Sequence, residues 1–497
     1  MITIKYAPLH STVVCEDKAE QKAVFAFLYK KFSVWVDGAN FTPAYELGIW
    51  DGYARFFSKT SGQFPSGLLV KVASALLSED YEFDVEDMPE PYKGHDSQEP
   101  IVLPNGMTMR DYQAATLRKT LKWYRGIWKV ATNGGKTEMA AGLLKVLDSK
   151  ANILILVPRK VIFHQFASRL KDSLKVDKVG MIGDGLFKPI MDGGITVAMY
   201  QTLSSRMKDK TVQKWLQSVD VLIVDECQFA TAETFKKIIQ KCPANFRIGM
   251  SGTPFKEEKH KRMEVRGLFG PILSVVSNQE LIDKGVSIRP SIMFLDFKEP
   301  KVSSKVKYVD AYPTHLKHCE TRNKLIAQLA EGFVKSQRQT LIMVRHVDHL
   351  KALHRKMPWA ETAHANSPNR QQLLDRLRTG EVFALICTPI FDTGLSTDYI
   401  EAIINAGGGQ SEIEVLQRVG RGLRVAKDKE KDLWIIDFVD GHHRDLRRQA
   451  SKRLEILSNQ EAFYMTNYIH DLPQEVQEAL DKSLLNSSHF EMPLLQT

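Results

Sequence analysis

From Met107 onward, short apolar runs alternate with stretches in which apolar residues recur every three or four positions. The runs "GIWKVAT", "NILILVP", "ITVAMY", "VLIVDE" and "FRIGMSG" are rich in β-branched residues, and each ends in polar or glycine-rich residues. Such runs suit strands buried on both faces of a parallel sheet. With helical stretches between them, they predict a doubly wound α/β domain. The style then repeats in "SIMFLDF", "TLIMVRH", "FALICTP", "AIINAG" and "LWIIDFVD", so two tandem parallel-sheet domains are expected, joined near Asp283–Pro290. Ahead of them, "AEQKAVFAFLYKKF" has helical spacing, while "YARFF" and "GLLVKV" read as strand and strand-to-helix pieces of a small α+β domain. The acidic, proline-containing stretch Ser78–Pro100 reads as a linker. After Asp440 the chain turns helical and basic, in "HHRDLRRQASKRLEIL", and ends in a polar segment. The expected domains are 1–97, 98–288, 289–445 and a C-terminal helical tail, 446–497.

Composition narrows the picture. No run approaches the roughly 18 apolar residues of a membrane helix, and the start "MITIKYAPLH" lacks the pattern of a secretory signal. The five cysteines (Cys15, Cys227, Cys242, Cys319, Cys387) are scattered without a C-x-x-C pair, so neither a zinc site nor a disulfide framework is expected, and a reducing cytoplasm fits. Residues 1–99 hold 9 basic and 15 acidic residues, a net of −6, which leaves +15 for the rest of a chain whose net is +9. That leaves two readings open: a polyanionic partner such as nucleic acid, or a well-solvated basic surface.

Candidate chemistry begins at "WKVATNGGKTEMA", Trp128–Ala140. Gly135-Lys136-Thr137 matches the end of a phosphate-binding loop, G-x-x-x-x-G-K-[ST], although Val130 holds the first glycine's place. The alternative is a surface turn. The context favours the loop: it joins a predicted strand to a predicted helix, which points N–H groups and a helix N-terminus at one spot. Thr132, Asn133, Gly134 and Gly135 would cradle phosphates, Lys136 would reach the β- and γ-phosphates, and the Thr137 hydroxyl would hold Mg²⁺. Downstream, "VLIVDECQ" ends a buried strand in Asp225 and Glu226, two acids that are costly there without a cation. Asp225 would bind the metal, partly through water, and Glu226 would orient and deprotonate the attacking water. In "QRVGRGLR", Arg421 and Arg424 lie three apart on a predicted helix and share a face, suited to gripping a γ-phosphate as charge develops.

Taken in order from Met109 to Asp440, these segments resemble the superfamily-2 helicases. "MRDYQ" resembles the adenine-reading motif, which places Gln113 and Arg110 at the base. "VATNGGKTEM" resembles motif I, "ILVPRKVIFHQF" motif Ia, "VAMYQTL" motif Ib, "VDECQ" motif II and "MSGTP" motif III. "TLIMVRHVDHL", "ICTPIFDTGLS" and "QRVGRGLR" resemble motifs IV, V and VI. The resemblance implies two RecA-like domains with ATP and Mg²⁺ in the cleft between them, and adds Gly394 and Gln417 to the nucleotide contacts. It implies nucleic-acid contacts at Pro158, Arg159, Gln201, Thr202 and Thr388. In motif III, Ser251 and Thr253 would link the state of the ATP to the grip on DNA. Three positions depart from the family: Asn133 stands where many relatives have glycine, Gln228 where DEAH-type relatives have histidine, and Ser396 where an acid is common.

A narrower resemblance, through "YELGIWDGYARFF" and "FPSGLLVKV" of the N-terminal part, is to UvsW-type bacteriophage helicases. It implies an ATP-dependent DNA helicase that remodels branched structures by fork regression, Holliday-junction migration and R-loop or D-loop unwinding in phage replication, recombination and repair, inside the host cytoplasm. The expected partner is branched or forked DNA bound without regard to sequence, with an RNA–DNA hybrid as a further candidate; a monomer and no membrane are expected. A double-strand translocase and an RNA helicase stay open as alternatives. In the N-terminal part, Trp35, Trp50, Tyr53, Arg55 and Phe57 either stack on unpaired bases or build a small core, with Arg55 free to touch duplex backbone.

Overall fold

The structure, a computed structural model, describes residues 1–486 apart from 148–149, 304, 365–366, 368–369, 389–398, 411–419, 421–422 and 424–431. Gly394, Gln417, Arg421 and Arg424 therefore lie outside the described residues, as does Ser396. The chain divides into two compact units, 1–131 with 135–276, and 277–497 with 132–134.

The first unit opens with strands β1 (Ile2–Lys5), β2 (His10–Cys15), β3 (Ser33–Trp35), β4 (Tyr53–Arg55), β5 (Gln63–Pro65) and β6 (Phe83–Glu86). Four of them form a sheet in the order β5-β2-β1-β6, and β3 pairs with β4. Helices Lys18–Lys31 and Leu69–Leu77 bury Val24, Phe25, Leu28, Val72 and Leu76 against Ile2, Ile4 and Val13, with Phe57 and Phe64 in the same core. Phe57 is thus a core residue. Trp35 instead meets Tyr45 and Tyr53 edge-on, at 5.7 and 5.3 Å, beyond that core. The stretch read as a linker is in part structural: Phe83–Glu86 runs parallel to β1 as a sheet strand. Beyond it, Tyr92 N–H donates to Leu121 O at 2.9 Å and the Tyr124 hydroxyl to Glu90 O at 2.6 Å.

The α/β part of this unit carries β7 (Arg125–Val130), β8 (Asn152–Val157), β9 (Gly180–Gly183), β10 (Leu186–Lys188), β11 (Gly194–Met199), β12 (Val221–Asp225), β13 (Phe246–Ser251) and β14 (Ile272–Val276). Their order is β10-β9-β11-β8-β12-β13-β7-β14, parallel apart from the β9–β10 hairpin. Every residue of β12 and β13 is buried, as expected of central strands covered on both faces. In such sheets the loops at the carboxyl ends of the strands carry function.

Two arginines tie the small sheet to this one. Arg125, at the start of β7, donates to Pro8 O (3.0 Å) and the Tyr6 hydroxyl (3.4 Å) on one side, and to Leu268 O (3.1 Å) and Phe269 O (3.2 Å) on the other. Arg247, at the start of β13, donates to Ile239 O, Cys242 O and Leu268 O. Neither has a carboxylate partner among these bonds. The carbonyls belong to the ends of helices Glu233–Gln240 and Lys259–Phe269, whose dipoles favour a cation. Burial and the neighbouring Arg125 push Arg247 down to about 10.

The second unit holds β15 (Pro290–Leu295), β16 (Thr340–Met343), β17 (Glu361–Ala363), β18 (Ala384–Cys387), β19 (Ala402–Asn405), β20 (Leu433–Phe438) and β21 (Tyr464–Thr466), all parallel, in the order β17-β18-β16-β19-β20-β15-β21. Alternate residues serve two cores. Ile292, Leu341, Leu385, Ile403 and Ile435 face one, with Leu454 and Leu457 of helix Arg444–Ser458. Met293, Ile342, Ile386, Ile404 and Ile436 face the other, with Leu329 and Phe333 of helix Glu320–Lys335. Residues 446–497, expected as a helical tail, differ from that expectation. They supply an edge strand beside β15 and a helix, Gln474–Ala479, whose Val476 backbone leaves no room for a Cβ on Gly332. The five cysteines are buried free thiols. Among the described residues no helix is long and apolar enough to cross a membrane.

Candidate active site

Three neighbouring strands of the first unit deliver the candidate chemistry. β7 leads into the glycine loop, β13 ends at Ser251, and β12 ends at Asp225; in register, Ser251 lies opposite Lys129 and Asp225 opposite Met250. The parallel arrangement puts all three ends at one edge of the sheet.

In the loop, Asn133 has φ +72° and Gly135 φ +78°, both left-handed. Asparagine is among the residues that tolerate this conformation best, which explains how Asn133 replaces glycine. At Gly135 nothing larger fits: a Cβ would meet Gln113 Nε2 at 2.3 Å. The amide of Gln113 thus lies against the phosphate loop, while its oxygen accepts the Arg110 N–H at 2.9 Å. Helix Lys136–Val146 starts directly after Gly135, with Thr137 in its first turn. Lys136 Nζ donates to Val130 O at 3.3 Å, folded back over the loop.

Asp225 is buried, and its Oδ1 has no hydrogen-bond partner among the described residues. Burial first, then the adjacent Glu226 charge, raises its carboxyl to about 7, with Lys136 acting in the opposite direction. An orphaned buried carboxylate oxygen is a group that awaits a cation. A divalent ion with oxygen ligands fits Asp225 together with the Thr137 hydroxyl. Glu226 is held differently. Its backbone is left-handed at φ +49°, an uncommon state for a non-glycine residue. Its Oε2 accepts from Gln228 Nε2 at 2.8 Å and from Ser251 Oγ at 3.3 Å, and Ser251 Oγ in turn accepts the Thr253 N–H at 2.9 Å. One carboxylate oxygen is tethered by two donors, which leaves Oε1 to face a reactant.

Profile comparison matches residues 106–256 to the family described as "Type III restriction enzyme, res subunit" and residues 321–426 to "Helicase conserved C-terminal domain". The chain is a superfamily-2 helicase. It is 24% identical over 470 residues to the ATP-dependent DNA helicase uvsW of Enterobacteria phage T4, covering 87% of this chain and 89% of the relative. It is 25% identical over 390 residues to the DNA 3'-5' translocase XPB2 of Sulfurisphaera tokodaii, covering 69% of this chain and 84% of that one. Its fold is also similar to that of Dbp5 of S. cerevisiae bound to RNA and ADP BeF3, with TM-score 0.51 and 15% identity over 72% of this chain and 89% of that chain. The helicase hydrolyses ATP through its paired RecA-like domains.

The remaining expected residues fall in several places. Pro158 and Gln201 come together at the ends of neighbouring β8 and β11, where Gln201 Nε2 donates to Pro158 O at 3.0 Å. Arg159 caps helix Lys160–Leu174 beside them, and Thr202 follows Gln201 in helix Tyr200–Ser205. Thr388 follows β18 in the second unit and is only 6% exposed. Arg55 is not the free cation expected of a backbone contact. It bonds the Tyr29 hydroxyl at 2.7 Å, pairs with Asp51 and stacks on Tyr29 and Tyr53. The sequence reading passed over Arg125 and Arg247; the signal available was an arginine near the start of each otherwise apolar strand.

Proposed function

We propose that this helicase couples ATP hydrolysis to movement on DNA and remodels branched structures, as in fork regression, junction migration and R-loop or D-loop unwinding. The observation that carries the catalytic part is the pairing at the end of β12: Asp225 with an open buried oxygen beside Glu226 with one oxygen tethered. Lys136 and the loop N–H groups bind the β- and γ-phosphates. Mg²⁺, held by Thr137 and Asp225, would neutralise phosphate charge when bound. Glu226 Oε1 accepts a proton from the attacking water. Arg421 and Arg424 supply guanidinium groups to the γ-phosphate, and Gln113 with Arg110 receives the base. Pro158, Arg159, Gln201 and Thr202, at the carboxyl edge of the first sheet, face the DNA backbone. Support for DNA as substrate comes from the two relatives named for acting on it.

The test is strand displacement and junction migration on forked, four-way and R-loop substrates, with ATP and with a non-hydrolysable analogue. Lys136→Ala is expected to abolish both activities; ATP-driven unwinding by that variant defeats the assigned phosphate site. A second reading, double-strand translocation without strand separation, is favoured by the similarity to a protein named as a translocase. Triplex displacement without fork unwinding would select it.

A further inference from the structure

In the second unit, β19 ends in a turn with three consecutive glycines, Ala406–Gly409. Gly408 has φ +61° and Gly409 φ +103°, conformations that suit glycine. The turn is closely packed: a Cβ on Gly407 would lie 2.8 Å from Arg345 N, and Gly407 N–H donates to Met343 O at 2.8 Å. Left alone, such a turn has large backbone freedom. Here three side chains from three separate segments remove it. The Arg322 Nη1 donates to Ala406 O at 2.7 Å, the Tyr312 hydroxyl to Gly407 O at 2.8 Å, and Arg453 Nη1 to Gly409 O at 2.7 Å.

The two arginines are themselves fixed. Arg453 forks onto Asp437 through Nε at 2.9 Å and Nη2 at 2.8 Å, and Asn405 Nδ2 adds a bond to the same carboxylate at 2.8 Å. Arg322 Nε bonds Asp440 at 2.8 Å. All four charged groups are at most 2% exposed. Two buried cations balanced by two buried anions are costly to assemble, and apolar side chains of like size would stabilise as well or better. What apolar residues cannot do is hold carbonyl oxygens in place. The turn so held is the point from which the chain runs on to Gln417–Arg424.

We infer that Arg322, Tyr312 and Arg453 are positioning residues for ATP hydrolysis: by fixing the Ala406–Gly409 turn they set where the arginine segment starts, and so where Arg421 acts. The inference rests on the reading of Arg421 as a γ-phosphate ligand.

A double-mutant cycle tests it, with single-turnover ATP hydrolysis on forked DNA, ATP affinity and thermal melting measured for each full-length protein. Tyr312→Phe removes one hydroxyl and keeps the ring. It should slow hydrolysis about three- to tenfold, the worth of one neutral hydrogen bond. ATP affinity should stay within about twofold and the melting temperature should hardly move, because the loss is one of placement. In an Arg421→Ala background the same substitution should change the rate by less than about twofold, since the residue it positions is gone. An equal loss in both backgrounds, or no loss in the unaltered protein, overturns the inference. If Arg421→Ala alone keeps the full rate, the reading beneath fails too, and that single variant reveals it without reference to Tyr312. Should Tyr312→Phe fail to fold, Arg453→Lys, which keeps the charge and loses the fork, enters the same cycle with the same outcomes.

Discussion

Gln228 donates its side-chain amide to Oε2 of Glu226 at 2.8 Å, from a position where DEAH-type relatives carry histidine. Gln228 is fully buried, and its own Oε1 has no partner among the described residues. The bond is made to an ionised acceptor, a class worth about 1.5–3 kcal/mol. Gln228→Ala should therefore lower kcat for ATP by about 10- to 100-fold with KM nearly unchanged. Gln228→His, which keeps an N–H donor, should recover most of that loss. Steady-state kinetics of both variants check it; a rise in KM at constant kcat would show that Gln228 serves binding.

Gly135 has no tolerance for a side chain. Its left-handed backbone costs alanine roughly 1–2 kcal/mol, and the Cβ would displace the Gln113 amide 2.3 Å away. Gly135→Ala should fold, melt a few degrees lower, and bind ATP at least about tenfold more weakly, since 1.4 kcal/mol is a factor of ten. Nucleotide titration alongside a melting curve separates the two effects.

Arg125 bonds four acceptors, two in the small sheet and two at the end of a helix. Arg125→Met fills the volume and strands the carbonyls. Buried acceptors left unsatisfied cost about 1–3 kcal/mol each before relaxation, so a drop in melting temperature of roughly 5–10 °C is expected. Limited proteolysis should then cut first between the small sheet and β7. A variant as protease-resistant as the parent would mean the arginine does not hold the two together.

His349 is fully buried, with Nε2 at 3.0 Å from Asn323 Oδ1. Burial, and then the charge of Arg322, with His318, Lys317 and His346 adding to it, keeps its imidazole well below the usual histidine range. The folded protein thus binds this proton less readily than the unfolded chain. Its contribution to stability is complete above about pH 6.5 and is lost as pH falls below that value, by up to about 1.4 kcal/mol per pH unit. His349→Gln keeps a donor toward Asn323 and cannot titrate. Denaturant midpoints from pH 7.5 to 5 should fall less steeply for the variant; parallel slopes would remove His349 as a source of acid sensitivity.

Much of this molecule was legible in its residues, for identifiable reasons. The ten apolar runs are strands because a strand covered on both faces has nowhere to put a polar residue, as in the fully buried β12. Short edge strands such as β10 and β21 carry no such signature and emerged only with pairing. Lys136, Asp225 and Glu226 could be read because chain order along a parallel sheet places them at strand ends. Asn133 looked like a departure until its positive φ explained it. Arg55 and the buried arginines were opaque because their partners are distant: Arg125 meets Pro8 across 117 positions, and Arg322 meets Asp440 across 118. No local pattern distinguishes an arginine that will wrap around carbonyls from one that will face solvent.

The join made by Arg125 has a practical side. A shortened helicase beginning after the acidic stretch would lose Tyr6 and Pro8 and bare a guanidinium that evolved in a dry seam. Impaired unwinding by such a truncation would then report a damaged motor as readily as a missing arm. Deletion of the N-terminal sheet becomes informative only when the exposed seam is resurfaced at the same time.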